Sequence, residues 1–109
     1  MNIELAPIEY MKAMTWDEAK LYCFLLNIDG KVGWRIPSMR ELHWLRSMEL
    51  ITSKQHVDPR KYPRYWSSEE HAEYLAMIWV ALATTCDMHT TWASKDDETT
   101  LVRPVRDMQ

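Results

Sequence analysis

The densest group of acidic side chains that could bind a cation is the run Asp96-Asp97-Glu98. Calcium in proteins takes about six to eight oxygen ligands, gathered from several carboxylates and carbonyl groups. Three consecutive acidic residues supply too few of these ligands by themselves, and they stand between two stretches typical of β-strands. A solvated turn is therefore the better interpretation of the run.

The histidines and glycines show no spacing that is typical of a catalytic or metal site. His71 and Glu73 match the H-x-E half of the zinc-deaminase signature, but the P-C-x-x-C half is missing. Two glycines are too few for a glycine-rich phosphate loop. A metal site or a Ser-His-Asp triad built from distant residues stays open, although nothing positive supports either one. We therefore expect no enzyme activity, no metal and no cofactor.

Residue types that dominate binding surfaces occur in two stretches, HVDPRKYPRY and TTCDMHTTWASKDD. Tyrosine, tryptophan and arginine are enriched among the residues that contribute most to binding energy. The predicted ligand-binding residues are Arg60, Lys61, Tyr62, Arg64, His89 and Trp92. The alternative for Trp92 is a place in the hydrophobic core.

The charge of the chain argues against a general nucleic-acid binder. Its formal net charge is −3 at pH 7, whereas such binders carry a strongly basic face. Seven of the 13 basic residues nevertheless lie between positions 35 and 64, where only three acidic residues oppose them. A solvated face is the simpler interpretation of this stretch, and an anion-binding patch is the alternative.

The N-terminal sequence MNIELAPIEYMKAM lacks the basic and apolar regions of a signal peptide. The longest apolar run, residues 75–83, is far shorter than the roughly 20 residues of a membrane helix. We therefore expect a chain that is made in the cytoplasm and inserts into no membrane. Cys23 and Cys86 would then be reduced thiols, and a bridge between them is the alternative if the protein reaches an oxidising compartment.

Two helix starts are predicted from capping boxes, in which the side chains of the first and fourth residues satisfy each other's free backbone N–H groups. Thr15 with Glu18 marks one start, and Ser38 with Glu41 marks the other. We expect Gly30 to end the first helix in a left-handed conformation. The second helix is expected to end near Leu50.

Strand-like segments surround these helices. IEL and IEYM near the N-terminus are short, and YWSS, YLAMIWVAL, MHTTWAS and TTLVRPVRD follow the second helix. Pro104 indicates an edge position or a bulge in the last strand. The order of a strand, two helices and an antiparallel meander predicts one α+β domain over residues 1–109.

Four motifs occur in order at spacings that resemble those of the DUF1566 family of bacterial and phage domains. They are MTWDEAKLYC, GWRIPSMREL, YWSS and VRPVRD. The most specific is GWRIPSMREL, because the hallmark of the family is Trp-Arg-Leu-Pro-Thr before Glu-Leu. The resemblance covers nearly the whole chain.

The resemblance implies a C-type-lectin-like fold, with two helices packed on a small antiparallel sheet and paired N- and C-terminal strands. Ile3–Leu5 would lie beside Leu101–Val105. The segment before Trp34 would be a tight crossover in which Gly33 lets the backbone turn sharply, and Arg35 would be held by carbonyls or carboxylates. Trp16, Trp34, Trp66 and Trp79 would be buried, because each lies in one of the motifs or in the apolar run. The structural motif residues implied are Gly33, Trp34, Arg35, Pro37, Glu41, Trp66 and Ser67.

Two groups of proteins related to this family have known chemistry, and this chain carries the signature of neither. The calcium-binding motifs of true C-type lectins are missing, and so is the cysteine pair of formylglycine-generating enzymes. The resemblance thus implies a non-enzymatic binding or structural module that recognises a protein or a cell-surface glycan, as a small phage virion component. The alternatives are an intracellular phage or bacterial protein that binds a host protein, and an enzyme with a dispersed site. A homo-oligomer is compatible with each.

Overall fold

The computed structural model describes residues 1–48, 50–51, 64–81 and 88–108. Within these residues, two helices, α1 (Trp16–Leu25) and α2 (Met39–Ser47), combine with eight strands in the predicted α+β arrangement. The strands are β1 (Ile3–Leu5), β2 (Lys12–Ala13), β3 (Trp34–Arg35), β4 (Arg64–Ala72), β5 (Leu75–Ala81), β6 (Met88–Ser94), β7 (Leu101–Val102) and β8 (Val105–Asp107). The expected strand IEYM is wrong, because Ile8–Tyr10 forms a 3-10 turn after Pro7.

Both helices begin at the predicted capping boxes. The Thr15 and Ser38 hydroxyls accept from the backbone N–H groups of Glu18 and Glu41, and each glutamate accepts in return from the capping residue. The second helix ends at Ser47, somewhat before the predicted Leu50. Within the described part of the chain, no helix has the length and apolar character to cross a membrane.

The glycine-containing segment between the helices differs from the prediction at Gly30. Helix α1 ends at Leu25, and Gly30 belongs instead to a small hairpin closed by Ile28 and Lys31. Asp29 and Gly30 have φ values of 53° and 85°, the two positive angles of a type I′ turn. Gly33, with φ of 86°, makes the sharp turn before β3 that was predicted for it.

The chain ends pair as the resemblance implies, but in a different register. Strand β8 lies between β1 and β3 in a three-stranded sheet, with Ile3 opposite Asp107 and Leu5 opposite Val105. The predicted partner segment Leu101–Val105 therefore meets Ile3–Leu5 only at Val105. Strand β7 instead pairs with β2 in the second sheet, whose order is β2-β7-β4-β5-β6.

Pro104 separates the two sheets. A proline cannot donate a ladder hydrogen bond, so the predicted single last strand breaks into β7 and β8 around Arg103-Pro104. The N-terminal segment contacts this break, because the Ala6 N–H donates to the Pro104 carbonyl at 3.0 Å. The Arg103 guanidinium is buried and donates from Nε to the Ala6 carbonyl at 2.9 Å.

Two clusters of buried apolar side chains fill the space between the helices and the sheets. One is built around Trp16, Trp34 and Trp66, which were all predicted to be buried. The other lies under α2, where Leu42 and Leu45 pack against Tyr65. The side chain of Trp79, which was also predicted to be buried, lies outside the description.

Deletion of Arg103–Gln109 should abolish cooperative unfolding of the whole domain. The deletion removes β8, the central strand of the three-stranded sheet, so β1 and β3 lose their hydrogen-bonded partner strand. Deletion of Met108–Gln109 alone is the matched control and should lower the melting temperature only slightly. Thermal unfolding followed by circular dichroism makes the comparison, and native melting of the longer deletion would contradict this role of β8.

Candidate functional site

Arg35 connects three separate elements of the fold. Its Nη1 and Nη2 groups donate to the two carboxylate oxygens of Glu41 at 2.6 Å each, and Nη2 also donates to Asp107 at 2.8 Å. Strand β3 supplies Arg35, helix α2 supplies Glu41 and strand β8 supplies Asp107. A bidentate arginine–carboxylate pair is both strong and geometrically specific. Of the carbonyls or carboxylates expected to hold Arg35, the carboxylates of Glu41 and Asp107 do so.

Glu41 has a second function at the start of α2. Its Oε1 atom accepts from the Ser38 backbone N–H at 2.8 Å while it also accepts from Arg35. The Arg35 hydrogen bonds are the main reason that the pKa of Glu41 lies below its ordinary value. The same contacts raise the pKa of Arg35. The pair is therefore ionised at neutral pH, and Arg35 already makes three hydrogen bonds within the chain, which favours a structural role.

The indole N–H groups of the three buried tryptophans all donate to backbone carbonyls. Trp34 donates to Lys31, Trp16 to Ser67 and Trp66 to Met14, at 3.0, 2.9 and 2.8 Å. These bonds allow large indole rings to be buried without an unsatisfied polar group.

The predicted motif residues thus lie within one connected framework. Pro37 and Ser67 are fully buried, and the Ser68 N–H donates to the Pro37 carbonyl at 2.9 Å. This bond joins the motif before α2 to the YWSS motif in β4.

The predicted ligand-binding residues are only partly described. Arg60, Lys61 and Tyr62 lie outside the described residues. Arg64 begins β4, where its guanidinium is 3.4 Å from the carboxylate of Asp97. His89 lies in β6, and its side chain is outside the description.

Trp92 has an exposed side chain, so its alternative place in the core is wrong. Half of its surface, 51%, is exposed, and its ring stacks on the His71 imidazole with centroids 4.4 Å apart and an angle of 8° between planes. Strands β4 and β6, on either side of β5, carry the two rings. The next residue in the strand, Ala93, is buried in the core instead.

Tyr74 adds a third exposed aromatic ring at this end of the sheet. It lies in the turn between β4 and β5, and its carbonyl accepts from the Lys95 N–H just after β6. We call the stacked rings of His71 and Trp92, together with the exposed Tyr74 in the turn at the same end of the sheet, the aromatic face. The sequence prediction missed His71 and Tyr74, because the only signals were an H-x-E match and a tyrosine before an apolar run.

The acidic run has the predicted geometry of a turn. Asp97 accepts from the backbone and the hydroxyl of Thr99 at 2.7 and 2.6 Å, in addition to its ion pair with Arg64. Among the described residues, no group of three histidine, cysteine, aspartate or glutamate side chains is placed to hold a metal ion.

Cys23 is a buried free thiol in α1. Burial raises the pKa of this thiol to about 12, so at neutral pH it is protonated and a poor nucleophile.

The framework of the four motifs agrees with the comparison to known families. The family model of the Lcl C-terminal domain matches residues 5–106, which is nearly the whole chain and includes the four motifs except Asp107, the last residue of VRPVRD. The chain belongs to the Lcl C-terminal domain family, also known as DUF1566. A comparison with curated proteins gives no match.

The lectin-like fold expected of the Lcl C-terminal domain is consistent with the two helices, two sheets and paired terminal strands. In this chain the motif residues of the domain make that fold, since they contact one another and the backbone. Trp92 lies within the matched residues but contributes an exposed ring rather than a framework contact. The aromatic face is therefore the candidate functional site on the described surface.

Glu41→Gln should destabilise the domain in a pH-dependent way. The folded pKa of Glu41 lies below the ordinary value of 4.5, so its stabilising contribution is fully present above that value and is lost as pH falls through the folded pKa. At pH 7 the substitution should lower the free energy of unfolding by about 2 kcal/mol.

Urea unfolding of both proteins between pH 3 and pH 7 measures this difference, which should be largest at pH 7 and shrink below the ordinary pKa. Glu9→Gln, at an exposed glutamate, controls for the loss of one charge. A difference that stays constant across the range would show that the carboxylate charge of Glu41 is not what stabilises the fold.

Proposed function

We propose that the chain is a non-enzymatic binding module that contacts its partner through the aromatic face. The observation that carries the proposal is the exposed Trp92 ring, stacked flat on His71 at the outer surface of the sheet. The family suggests a protein or a cell-surface glycan as the partner, and both can pack against an exposed ring. The surroundings of the face favour a protein.

The stacking contact prepares Trp92 for binding. An exposed tryptophan that rotates freely loses side-chain entropy when a partner immobilises it. The His71 imidazole already restricts the Trp92 ring, so less entropy is lost on binding. Tryptophan and tyrosine also bury a large apolar area while keeping a polar group for hydrogen bonding. The aromatic face therefore has the residue types of a binding hot spot, and its Trp92 ring is already restricted before a partner binds.

The charges beside the aromatic face favour a basic partner. Three exposed glutamates follow one another closely along β4 and its turn, namely Glu69, Glu70 and Glu73. Lys95 pairs with only one of them, Glu70, at 2.9 Å. Negative potential attracts lysine and arginine side chains and repels sulfated or sialylated glycans. A protein that presents basic and apolar side chains together is thus the partner that fits best.

Arg60, Lys61 and Tyr62 stay predicted binding residues, and they lie outside the described residues. A virion component and an intracellular protein that binds a host protein are both compatible with a binding module. The location of the protein, in purified particles or in the cytoplasm of the producing cell, separates these two roles. Turnover of a substrate would instead favour the alternative of a dispersed active site.

Trp92→Ala should weaken binding to the natural partner by about 30-fold or more, as expected for a hot-spot residue. The partner is first identified by affinity capture from the native source and is then purified. Binding isotherms with wild type, Trp92→Ala and His71→Ala measure the effect. Ile8→Ala, at another exposed apolar side chain, is the matched control and should bind as wild type does.

The melting temperature of each variant separates binding from folding, because surface substitutions usually change stability by only about 0.5 kcal/mol. Equal affinities of wild type and Trp92→Ala would place the binding site elsewhere. Treatment of the captured partner with protease should abolish binding, whereas glycosidase should not. The opposite result would identify a glycan and overturn the preference for a protein.

A further inference from the structure

Helix α1 exposes a continuous row of apolar side chains on the face opposite the core. Leu21, Phe24 and Leu25 occupy positions i, i+3 and i+4, so they are neighbours on one helical face. Their side chains are 58%, 79% and 67% exposed. Phe24 is the only phenylalanine of the chain. Contiguous exposed apolar side chains of this kind mark interaction surfaces.

A groove of about 410 Å³ lies directly beside Phe24, between α1 and strands β3 and β4. The edges of two buried indole rings and an isoleucine form its apolar part, and oppositely charged side chains lie on its two walls. Its lining includes Trp16, Lys20, Phe24, Trp34, Ile36 and Glu70. The groove is wide enough for one large apolar side chain, and Phe24 stands at its edge rather than filling it.

We propose that this surface is a dimer interface between two copies of the chain. A two-fold interface uses the same patch on both copies, so the patch must contain both a projecting group and the recess that receives it. Phe24 and the groove meet this requirement side by side. In the dimer, Phe24 of each copy enters the groove of the other, and Leu21 and Leu25 pack beside their counterparts.

The charges of the groove are arranged for the same occupant. Lys20 lies on the helix wall, and Glu70 lies on the strand wall. When α1 of one copy lies over the groove of the other, Lys20 approaches Glu70 of the second copy, and the two-fold axis generates this pair twice. Both side chains are about half exposed in the single chain, where they pair with Asp17 and Lys95. Lys20 can therefore reach across an interface at the loss of only an exposed ion pair, and the exposed Glu70 carboxylate can meet it there.

Lys20 also shows how the groove is covered in a single chain. Its ammonium group lies 4.2 Å from the centroid of the Trp16 ring, which it shields from solvent. The aliphatic part of a lysine side chain covers apolar surface while the charged end stays in water. A rotation of this flexible side chain toward Glu70 of the second copy would uncover the apolar floor for Phe24. Leu21, Phe24 and Leu25 lie outside the aromatic face, whereas Glu70 belongs both to the groove and to the charged surroundings of that face.

Sedimentation equilibrium over micromolar to submillimolar concentrations tests the proposal. Wild type should show the mass of two chains at the upper concentrations. Phe24→Glu should raise the dimer dissociation constant at least about 30-fold with little change in melting temperature, because Phe24 is mostly exposed. Met48→Glu, at an exposed apolar side chain just after α2, is the control and should dimerise as wild type does.

Charge reversal tests the geometry of the interface. Lys20→Glu and Glu70→Lys, studied separately, should each weaken dimerisation, because each homodimer then contains two repulsive pairs. An equimolar mixture should form a heterodimer in which both pairs are attractive again, and native mass spectrometry detects it when one variant carries a tag. Wild type that stays monomeric at submillimolar concentration would overturn the proposal. A dimer that Phe24→Glu leaves unchanged, or a mixture with no more heterodimer than its components predict, would do so as well.

Discussion

The bidentate pair between Arg35 and Glu41 is the contact on which the rest of the structure depends. It joins the short strand β3 to the first turn of α2, and the additional bond to Asp107 extends it to β8. Strand β8 is in turn the central strand that holds both the N-terminal strand and β3. One arginine thus connects the two ends of the chain with the second helix. The arrangement explains why arginine, proline and glutamate occur so close together in GWRIPSMREL.

The aromatic framework around this pair explains why distant motifs belong together. Three indole N–H groups donate to carbonyls of residues in other motifs or loops, and the Ser68 N–H bonds to Pro37. Because these residues satisfy one another, little of their bonding capacity remains for a ligand. The side chains available for binding are therefore those that the framework supports but does not use. Trp92 with His71, and Phe24 with its groove, are two such sets on different surfaces.

Local rules were enough to predict the features that short stretches determine. Thr15 with Glu18 and Ser38 with Glu41 marked both helix starts correctly, because a capping box involves only four neighbouring residues. Gly30 was assigned to the wrong turn, since a glycine after a helix is typical of a C-cap and the Asp29-Gly30 pair of a type I′ turn was overlooked. The register of the terminal strands was also missed, because it depends on where Pro104 transfers the chain between sheets.

The candidate site was harder to predict than the framework. Trp92 was recognised as a candidate, but whether it was exposed depended on the pairing of β6 with β5, which sequence alone does not give. His71 comes near Trp92 only through that pairing. The exposure of Phe24 was equally hard to predict, because an apolar side chain on a helix is usually taken to face the core. Exposure of large side chains is a property of the packed fold rather than of the local sequence.

A double-mutant cycle on the free energy of unfolding tests most directly whether Arg35 and Glu41 act as one unit. The cycle comprises wild type, Arg35→Met, Glu41→Gln and the double variant, measured by urea unfolding at pH 7. Each single change leaves a charged or polar partner unsatisfied, whereas the double change removes both partners. The double variant should therefore be less destabilised than the sum of the single variants, by about 2 kcal/mol. Additivity within about 0.5 kcal/mol would contradict the account, because it would mean that the two residues stabilise the domain independently.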